Sequence, residues 1–255
     1  MNHLPLILAR LFSGLMTMLT VLCLPGHAAE PKLSLKENDL WVMAGDSITA
    51  QRLHTNYIEA YYQTRYPKLN LRFRNSGIGG NRTSHLLQRF DYDVAAWKPA
   101  IVSVELGMND VNNGDDPSAY IKGIGEIVAR IRAIPAQPIL LSSSPVDDGS
   151  LSGAWKSERC RRIDLYTEAL KKFAAGENIL FVDQFHPLLE LWGNNRRKGT
   201  EAATKSEPPP EQAGQGRSQR LAPALIPLGG NPVHPGVIGQ YTMAAVILAG
   251  LGAEG

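Results

Sequence analysis

Short apolar runs alternate with longer amphipathic segments along most of the chain. The short runs predict five strands, at Leu40 to Ala44, Leu71 to Arg74, Ile101 to Glu105, Ile139 to Ser142 and Ile179 to Val182. Their nearly continuous apolar or β-branched character is typical of parallel strands that are covered on both faces. The intervening segments predict helices, so the alternation predicts a three-layer α/β/α sandwich around one five-stranded parallel sheet.

Several of the helical segments have recognisable ends. Asp116 and Pro117 form an N-cap with proline at the first helical position. Trp155 to Ala175 repeats apolar residues at helical spacing, and Gly176 then predicts the end of that helix. The last helix, Gly236 to Leu251, is apolar almost all round, which predicts that it is buried against the sheet.

Two segments interrupt this alternation. Residues 1–29 contain a short apolar run, Leu11 to Leu24, followed by a small-residue stretch, and this pattern predicts a cleaved signal peptide and an exported (periplasmic or secreted) protein. The run is shorter than the about 20 residues that a spanning helix needs, so no membrane span is expected after cleavage; an uncleaved anchor is the alternative. Residues 194–220 are rich in Pro, Gly, Gln and Glu, which predicts a disordered insertion within one domain, 30–255.

Composition and charge narrow the class of protein. The chain has 255 residues, 44% hydrophobic and 20% charged, with a net charge of +2, which is typical of a globular domain and argues against a nucleic-acid partner. Cys160 is the single cysteine after the predicted signal peptide, so no internal disulfide is expected. Because charged residues surround Cys160 in the sequence, we expect it on a helix surface, in a structural or incidental role.

Four short motifs lie at predicted strand ends or helix starts, where a parallel sheet places its ligands. Gly45-Asp46-Ser47 follows the first strand and puts a serine hydroxyl at a strand-to-helix turn. The glycine-rich stretch 75–83 follows the second strand. Gly107-Met108-Asn109-Asp110 follows the third and supplies an amide that can donate to an oxyanion, and Asn231-Pro232-Val233-His234 presents an imidazole as a base. Taken singly, these motifs also fit caps and turns.

In this order the four motifs resemble the blocks of the SGNH hydrolase (GDSL-like lipase and esterase) family, from about Trp41 to Leu251. The resemblance implies a flavodoxin-like fold and a carboxylic ester hydrolase that works through an acyl-enzyme, on a small-molecule or glycan ester, with no cofactor and no metal. It also implies five site residues, with Ser47 as nucleophile and His234 as base. The N–H of Gly80 and the side chain of Asn109 would be oxyanion donors beside the N–H of Ser47. Asn231 would be the partner of the base.

Asn231 departs from the family pattern, which has an aspartate three residues before the histidine. An amide can hold the imidazole but offers no charge to the imidazolium, and in a serine protease this exchange lowers turnover roughly 10⁴-fold. Weakened esterase activity is therefore one expectation. A degenerate, non-catalytic carbohydrate-binding module is a second, and acyl transfer to a sugar through the same residues is a third.

A second pair, Asp183 and His186, has the family's Asp-x-x-His spacing intact. A long stretch of chain follows His186, whereas His234 is followed by a single terminal helix, as in the family, so we favour His234. Asp183 could still supply a carboxylate to His234 in space. The two other histidines of the domain, His54 and His85, lie at predicted helix starts and are expected to be solvated or to act as caps.

Overall fold

The computed structural model describes residues 31–148, 157–205 and 231–253. The predicted signal peptide and residues 206–220 of the predicted insertion lie outside these ranges. Five strands form one parallel sheet in the order β2-β1-β3-β4-β5, which confirms the predicted architecture. They are β1 (Leu40–Gly45), β2 (Arg72–Gly77), β3 (Ile101–Glu105), β4 (Gln137–Leu141) and β5 (Leu180–Val182).

Helices cover both faces of this sheet. The α-helices of the described residues are α1 (Ser47–Ala50), α2 (Leu53–Arg65), α3 (Thr83–Asp93), α4 (Met108–Asn113), α5 (Pro117–Ala133), α6 (Glu158–Gly176), α7 (Phe185–Lys205) and α8 (Val237–Gly250). The predicted cap at Asp116 is present, because its side chain accepts the N–H of Ser118 at 2.8 Å. Helix α6 ends at Gly176, as its sequence predicts.

Two hydrophobic cores lie on the two faces of the sheet, because successive side chains of a strand point to opposite faces. In β1, Val42 and Ala44 belong to a larger core with α3 to α7, while Trp41 and Met43 belong to a smaller core with α2 and α8. All four side chains are at most 4% exposed. Because a strand that is buried on both faces has apolar residues at nearly every position, β1 can be predicted from the sequence.

Helix α7 differs from the prediction for its segment. It continues to Lys205, so the stretch 194–205, predicted as the start of a disordered insertion, is helical. The apolar face of the first turns supplies the driving force, because Leu188, Leu189 and Trp192 are buried. The polar stretch thus continues a helix whose first turns are held by packing in the core.

Helix α8 is less buried than its composition suggests. Ala244 and Ile247 pack into the smaller core, but Val237, Ile238 and Tyr241 are 41–60% exposed. The helix therefore packs against the sheet through one face, as its apolar sequence predicts, while the opposite side of its first turns is exposed. None of the described helices combines the length and hydropathy needed to cross a membrane.

Cys160 also differs from the prediction, since its side chain is fully buried in the larger core instead of lying on the helix surface. Burial raises the pKa of its thiol to about 12. A thiol that stays protonated is a poor nucleophile, so the buried Cys160 is a packing residue.

Candidate active site

The turn between β1 and α1 carries the candidate nucleophile. Ser47 is the first residue of α1, and the Asp46 side chain caps this helix by accepting the N–H of Ile48 at 2.9 Å. The backbone approach is close, because a Cβ atom at Gly45 would lie 2.0 Å from Oγ1 of Thr49. The absence of a side chain at Gly45 therefore lets the first turn of α1, which begins with Ser47, pack directly against the end of β1.

The candidate base meets this serine across a long separation in sequence. Nε2 of His234 lies 2.8 Å from Oγ of Ser47. The imidazole is held on a tight turn, in which the N–H of Asn231 donates to the carbonyl of His234 at 3.1 Å. A serine hydroxyl at hydrogen-bond distance from an imidazole is the arrangement that general-base activation of a nucleophile needs.

Asn231 holds the other side of this imidazole. Its Oδ1 accepts the N–H groups of Val233 and His234, both at 2.9 Å, and these two bonds identify the oxygen end of the amide. Both Oδ1 and Nδ2 of Asn231 lie 3.2 Å from Nδ1 of His234. The amide oxygen can thus accept a hydrogen bond from Nδ1–H, or the amide NH₂ can donate one to an unprotonated Nδ1, and only the first arrangement leaves Nε2 free to take the serine proton.

Two candidate oxyanion donors follow β2 and β3: Gly80 lies on the loop after β2, and Asn109 lies in the first turn of α4, which follows β3. Gly80 has a φ of +75°, a conformation that favours glycine. The Nδ2 group of Asn109 donates to Oδ2 of Asp46 at 3.2 Å and to the carbonyl of Asn81 at 3.1 Å. Asn109 therefore ties the nucleophile turn to the glycine loop and lies between the two.

The carboxyl group of Asp46 is only 2% exposed. Burial, followed by the charge of Glu105, raises the pKa of Asp46 to about 7. The group that accepts a hydrogen bond from Asn109 therefore changes its charge near neutral pH.

Comparison with known proteins decides the family. The model of the GDSL-like lipase/acylhydrolase family matches residues 43–240. The chain belongs to this family. It is therefore a carboxylic ester hydrolase of the SGNH/GDSL type.

Individual relatives agree with this assignment. An acetylxylan esterase from Geobacillus stearothermophilus is 29% identical over 203 residues, which cover 78% of this chain and 80% of that protein. The crystal structure of Axe2, an acetylxylan esterase from the same organism, has a TM-score of 0.66 at 22% identity and covers 87% of this chain and 98% of its own. LAE5, an alpha/beta hydrolase enzyme from the metagenome of Lake Arreo, has a TM-score of 0.64 at 21% identity, covering 86% and 97%. These likenesses show the shared fold.

A buried network of polar side chains lies behind the nucleophile turn of this SGNH hydrolase. Glu105, the last residue of β3, accepts hydrogen bonds from Thr49 at 2.9 Å and Gln184 at 2.8 Å, and lies 3.3 Å from Nε2 of His54. Gln240 of α8 accepts the N–H of His54 at 3.1 Å and lies 2.6 Å from its Nδ1. The network joins α1, which carries Ser47, to α8, which follows His234.

His54 was expected to be solvated or to act as a cap, and the first expectation was wrong, since it is 2% exposed. Burial alone lowers the pKa of His54, but Glu105 and Gln240 raise it on balance. Both ring nitrogens face acceptor oxygens, of Gln240 and Glu105, and this geometry favours the protonated imidazole. A carboxylate at the end of the apolar run 101–105 was the one sign of this network in the sequence.

Arg89 of α3 is a second supporting residue that the sequence does not reveal. Its Nε donates to Oδ1 of Asn81 at 2.7 Å, its Nη2 to the carbonyls of Gly45 and Ser76, and its Nη1 to Oγ of Ser76 and to Asp93. One guanidinium thereby joins the ends of β1 and β2 to the loop that contains Gly80. Only the tertiary structure places this helix residue behind the loops.

The alternative histidine, His186, lies in a different environment. Its Nδ1 is 2.7 Å from Oδ2 of Asp183 and its Nε2 is 2.9 Å from Oδ1 of Asp164. The carboxylate of Asp183 is thus engaged by His186, and within the described part of the chain Nδ1 of His234 contacts Asn231 instead. Asp164, Glu168 and His186 bring possible ligand atoms within 4.8 Å of one another. Because both nitrogens of His186 already contact carboxylates, we assign this group to ion pairing.

These ion pairs predict a pH-dependent contribution to stability. Partial burial lowers the pKa of His186, but Asp183 and Asp164 raise it above its usual value of 6.5 on balance. A raised pKa in the folded state stabilises the fold fully below the unfolded pKa, and this contribution is lost as the pH rises through the folded pKa. We expect His186→Gln to lower Tm by about 2–4 °C at pH 5.5 and by less at pH 8.5.

Thermal unfolding from pH 5 to 9 measures this difference. His85→Gln is the matched control, because His85 lies on α3, accepts the backbone N–H of Arg82 at 3.2 Å and pairs with no carboxylate among the described residues. A His186→Gln effect that grows with pH would contradict the assignment.

Proposed function

We propose that the chain is an exported serine esterase that removes acetyl groups from carbohydrates, with Ser47 as nucleophile and His234 as base. The observation that carries this proposal is the 2.8 Å separation between Nε2 of His234 and Oγ of Ser47. Gly80 lies on the loop after β2 and Asn109 at the start of α4, where their N–H groups, together with that of Ser47, would surround a carbonyl oxygen.

The reaction proceeds in two steps. Nε2 of His234 takes the Ser47 proton while Oγ attacks the acetyl carbonyl carbon, and the imidazolium returns that proton to the departing sugar oxygen. The acetyl group is then bound to Ser47. Water attacks this ester, His234 takes a proton from the water, and the proton returns to Oγ as acetate leaves.

Carbohydrate acetyl esters are proposed as substrates because of the acetylxylan esterase relative, whose match covers most of both chains. The test compares release of acetate from acetylated xylo-oligosaccharides with hydrolysis of p-nitrophenyl acetate and p-nitrophenyl palmitate by the purified protein. We expect activity on the first two substrates and little on the third. Preferential hydrolysis of the palmitate ester would refute carbohydrate acetyl esters as the substrate class but would leave the esterase activity intact. Activity on none of the three substrates would overturn the whole proposal.

The amide of Asn231, in place of a carboxylate, is expected to limit kcat. We expect Asn231→Asp to raise kcat for p-nitrophenyl acetate by roughly tenfold or more, because a carboxylate can only accept from Nδ1 of His234 and also stabilises the imidazolium. The backbone bonds to Val233 and His234 need only an acceptor oxygen, so the turn is retained.

Gln88→Glu is the control for the added charge, because Gln88 is exposed on α3. An unchanged kcat in Asn231→Asp would show that the amide already selects the productive tautomer. If neither form hydrolysed an ester while both bound xylo-oligosaccharides, the binding-module alternative would replace the esterase. Acetylated sugar products formed with an added acceptor would identify the acyltransferase.

A further inference from the structure

A cavity of 440 Å³ lies along β2, one of the two edge strands of the sheet, and none of the five proposed catalytic residues lines it. Its wall contains three arginines, Arg52, Arg72 and Arg74, beside a single acidic residue, Glu59. Trp97 closes one side and is 46% exposed. The volume is within the range of about 300–1,000 Å³ that is typical of small-ligand sites.

Arg74 is the unusual residue of this cavity. Its guanidinium stacks on the ring of Trp97, with 3.6 Å between Cζ and the ring centroid. Its Nε is buried and has no hydrogen-bond acceptor among the described residues. A buried polar atom without a partner costs free energy, so such atoms in native proteins usually meet a partner that is not part of the chain. A guanidinium that no acceptor of the described residues neutralises is suited to pair with a carboxylate or another anion through its remaining N–H groups.

The other two arginines leave positive charge unbalanced. Arg72 donates to the carbonyl of Asn38 at 3.1 Å, and neither Arg52 nor Arg72 pairs with a carboxylate in the described part of the chain. Glu59 instead accepts a hydrogen bond from Gln63 at 2.9 Å. Five other arginines of the same structure do have carboxylate partners, namely Arg82, Arg89, Arg130, Arg132 and Arg161. The cavity therefore concentrates cations that the fold itself does not neutralise.

We propose that this cavity binds the carboxylate-bearing sugar of an acidic glycan, a uronic acid side group. The guanidinium fork matches a carboxylate in two parallel hydrogen bonds, and the exposed part of the Trp97 ring offers an apolar face to a sugar ring. The proposal rests on the proposed carbohydrate esterase function. It adds a second contact, outside the reaction centre, that selects acidic glycans over neutral ones.

Isothermal titration calorimetry with unacetylated ligands tests the site without turnover. The probes are a glucuronic acid-substituted xylo-oligosaccharide, the neutral xylo-oligosaccharide of the same length, and inorganic phosphate at equal ionic strength. We expect the acidic oligosaccharide to bind about tenfold more tightly than the neutral one, and Arg74→Gln and Trp97→Leu to remove this preference. Arg159→Gln, exposed on α6 at the opposite side of the sheet, is the control and keeps it.

Equal affinity for the acidic and neutral oligosaccharides would overturn the proposal. Phosphate binding as tight as that of the acidic oligosaccharide would also overturn it, in favour of a general anion site. Hydrolysis of p-nitrophenyl acetate is measured on the same samples and should be unchanged in Arg74→Gln. A wild-type protein that hydrolyses p-nitrophenyl acetate but binds both oligosaccharides equally would refute this site and leave the proposed esterase function intact, whereas absence of hydrolysis would refute the esterase function.

Discussion

Replacing Ser47 with alanine is expected to lower kcat for p-nitrophenyl acetate by roughly 10⁴-fold or more. The acyl-enzyme cannot form without Oγ, and the 2.8 Å contact with Nε2 of His234 then has no hydroxyl to activate. We expect His234→Ala to have an effect of similar size. Because the two residues act as one unit, the double variant should be no slower than either single variant.

Two controls make this result specific. Ser118→Ala removes an exposed hydroxyl on α5, and His186→Gln removes the alternative histidine; both should keep kcat within about twofold of wild type at pH 6. A fluorophosphonate probe should label wild type and neither Ser47→Ala nor His234→Ala. Labelling or full turnover in Ser47→Ala, or loss of turnover in His186→Gln alone, would refute the assignment of the nucleophile and the base.

Asn109→Ala is expected to lower kcat by roughly a hundredfold to a thousandfold with a smaller change in KM, because an oxyanion donor acts mainly in the transition state. The amide of Asn109 already donates to Asp46 and to the carbonyl of Asn81, so it is held in place before substrate arrives. This preorganisation is what makes a single donor effective.

Steady-state kinetics on p-nitrophenyl acetate measures this effect, with Asn113→Ala on the same helix as the matched control. The Asn113 amide faces solvent and donates to Asp115 at 2.7 Å, so its loss should leave kcat unchanged. A change in Tm without a change in kcat would assign Asn109 a structural role only.

Asp46 makes the same site sensitive to pH. Its pKa of about 7 means that the acceptor of the Asn109 hydrogen bond is charged above neutral pH and largely neutral below it. The raised pKa also means that this carboxyl stabilises the fold most fully at acidic pH, and that this contribution declines as the pH rises towards 7.

The amino-acid sequence by itself determined the sheet and the positions of the four motifs. The strands at 40–45, 101–105 and 180–182 were visible because parallel strands buried on both faces are apolar at almost every position. Local turn chemistry was visible too, as at Asp116 and Gly176, because a cap depends on residues within one turn of each other.

The tertiary structure alone decided which polar groups meet. His54 and Cys160 have polar or charged neighbours in sequence, yet both are buried, since burial depends on the helix face that packs against the sheet. Arg89 contacts the ends of two strands, and Arg74 stacks on Trp97 within a cavity, through contacts between elements that the local pattern cannot specify. Hydrophobic periodicity depends on residues that are close in sequence, so it can be recognised in a single amino-acid sequence. Hydrogen bonds between distant elements form only when the chain is folded.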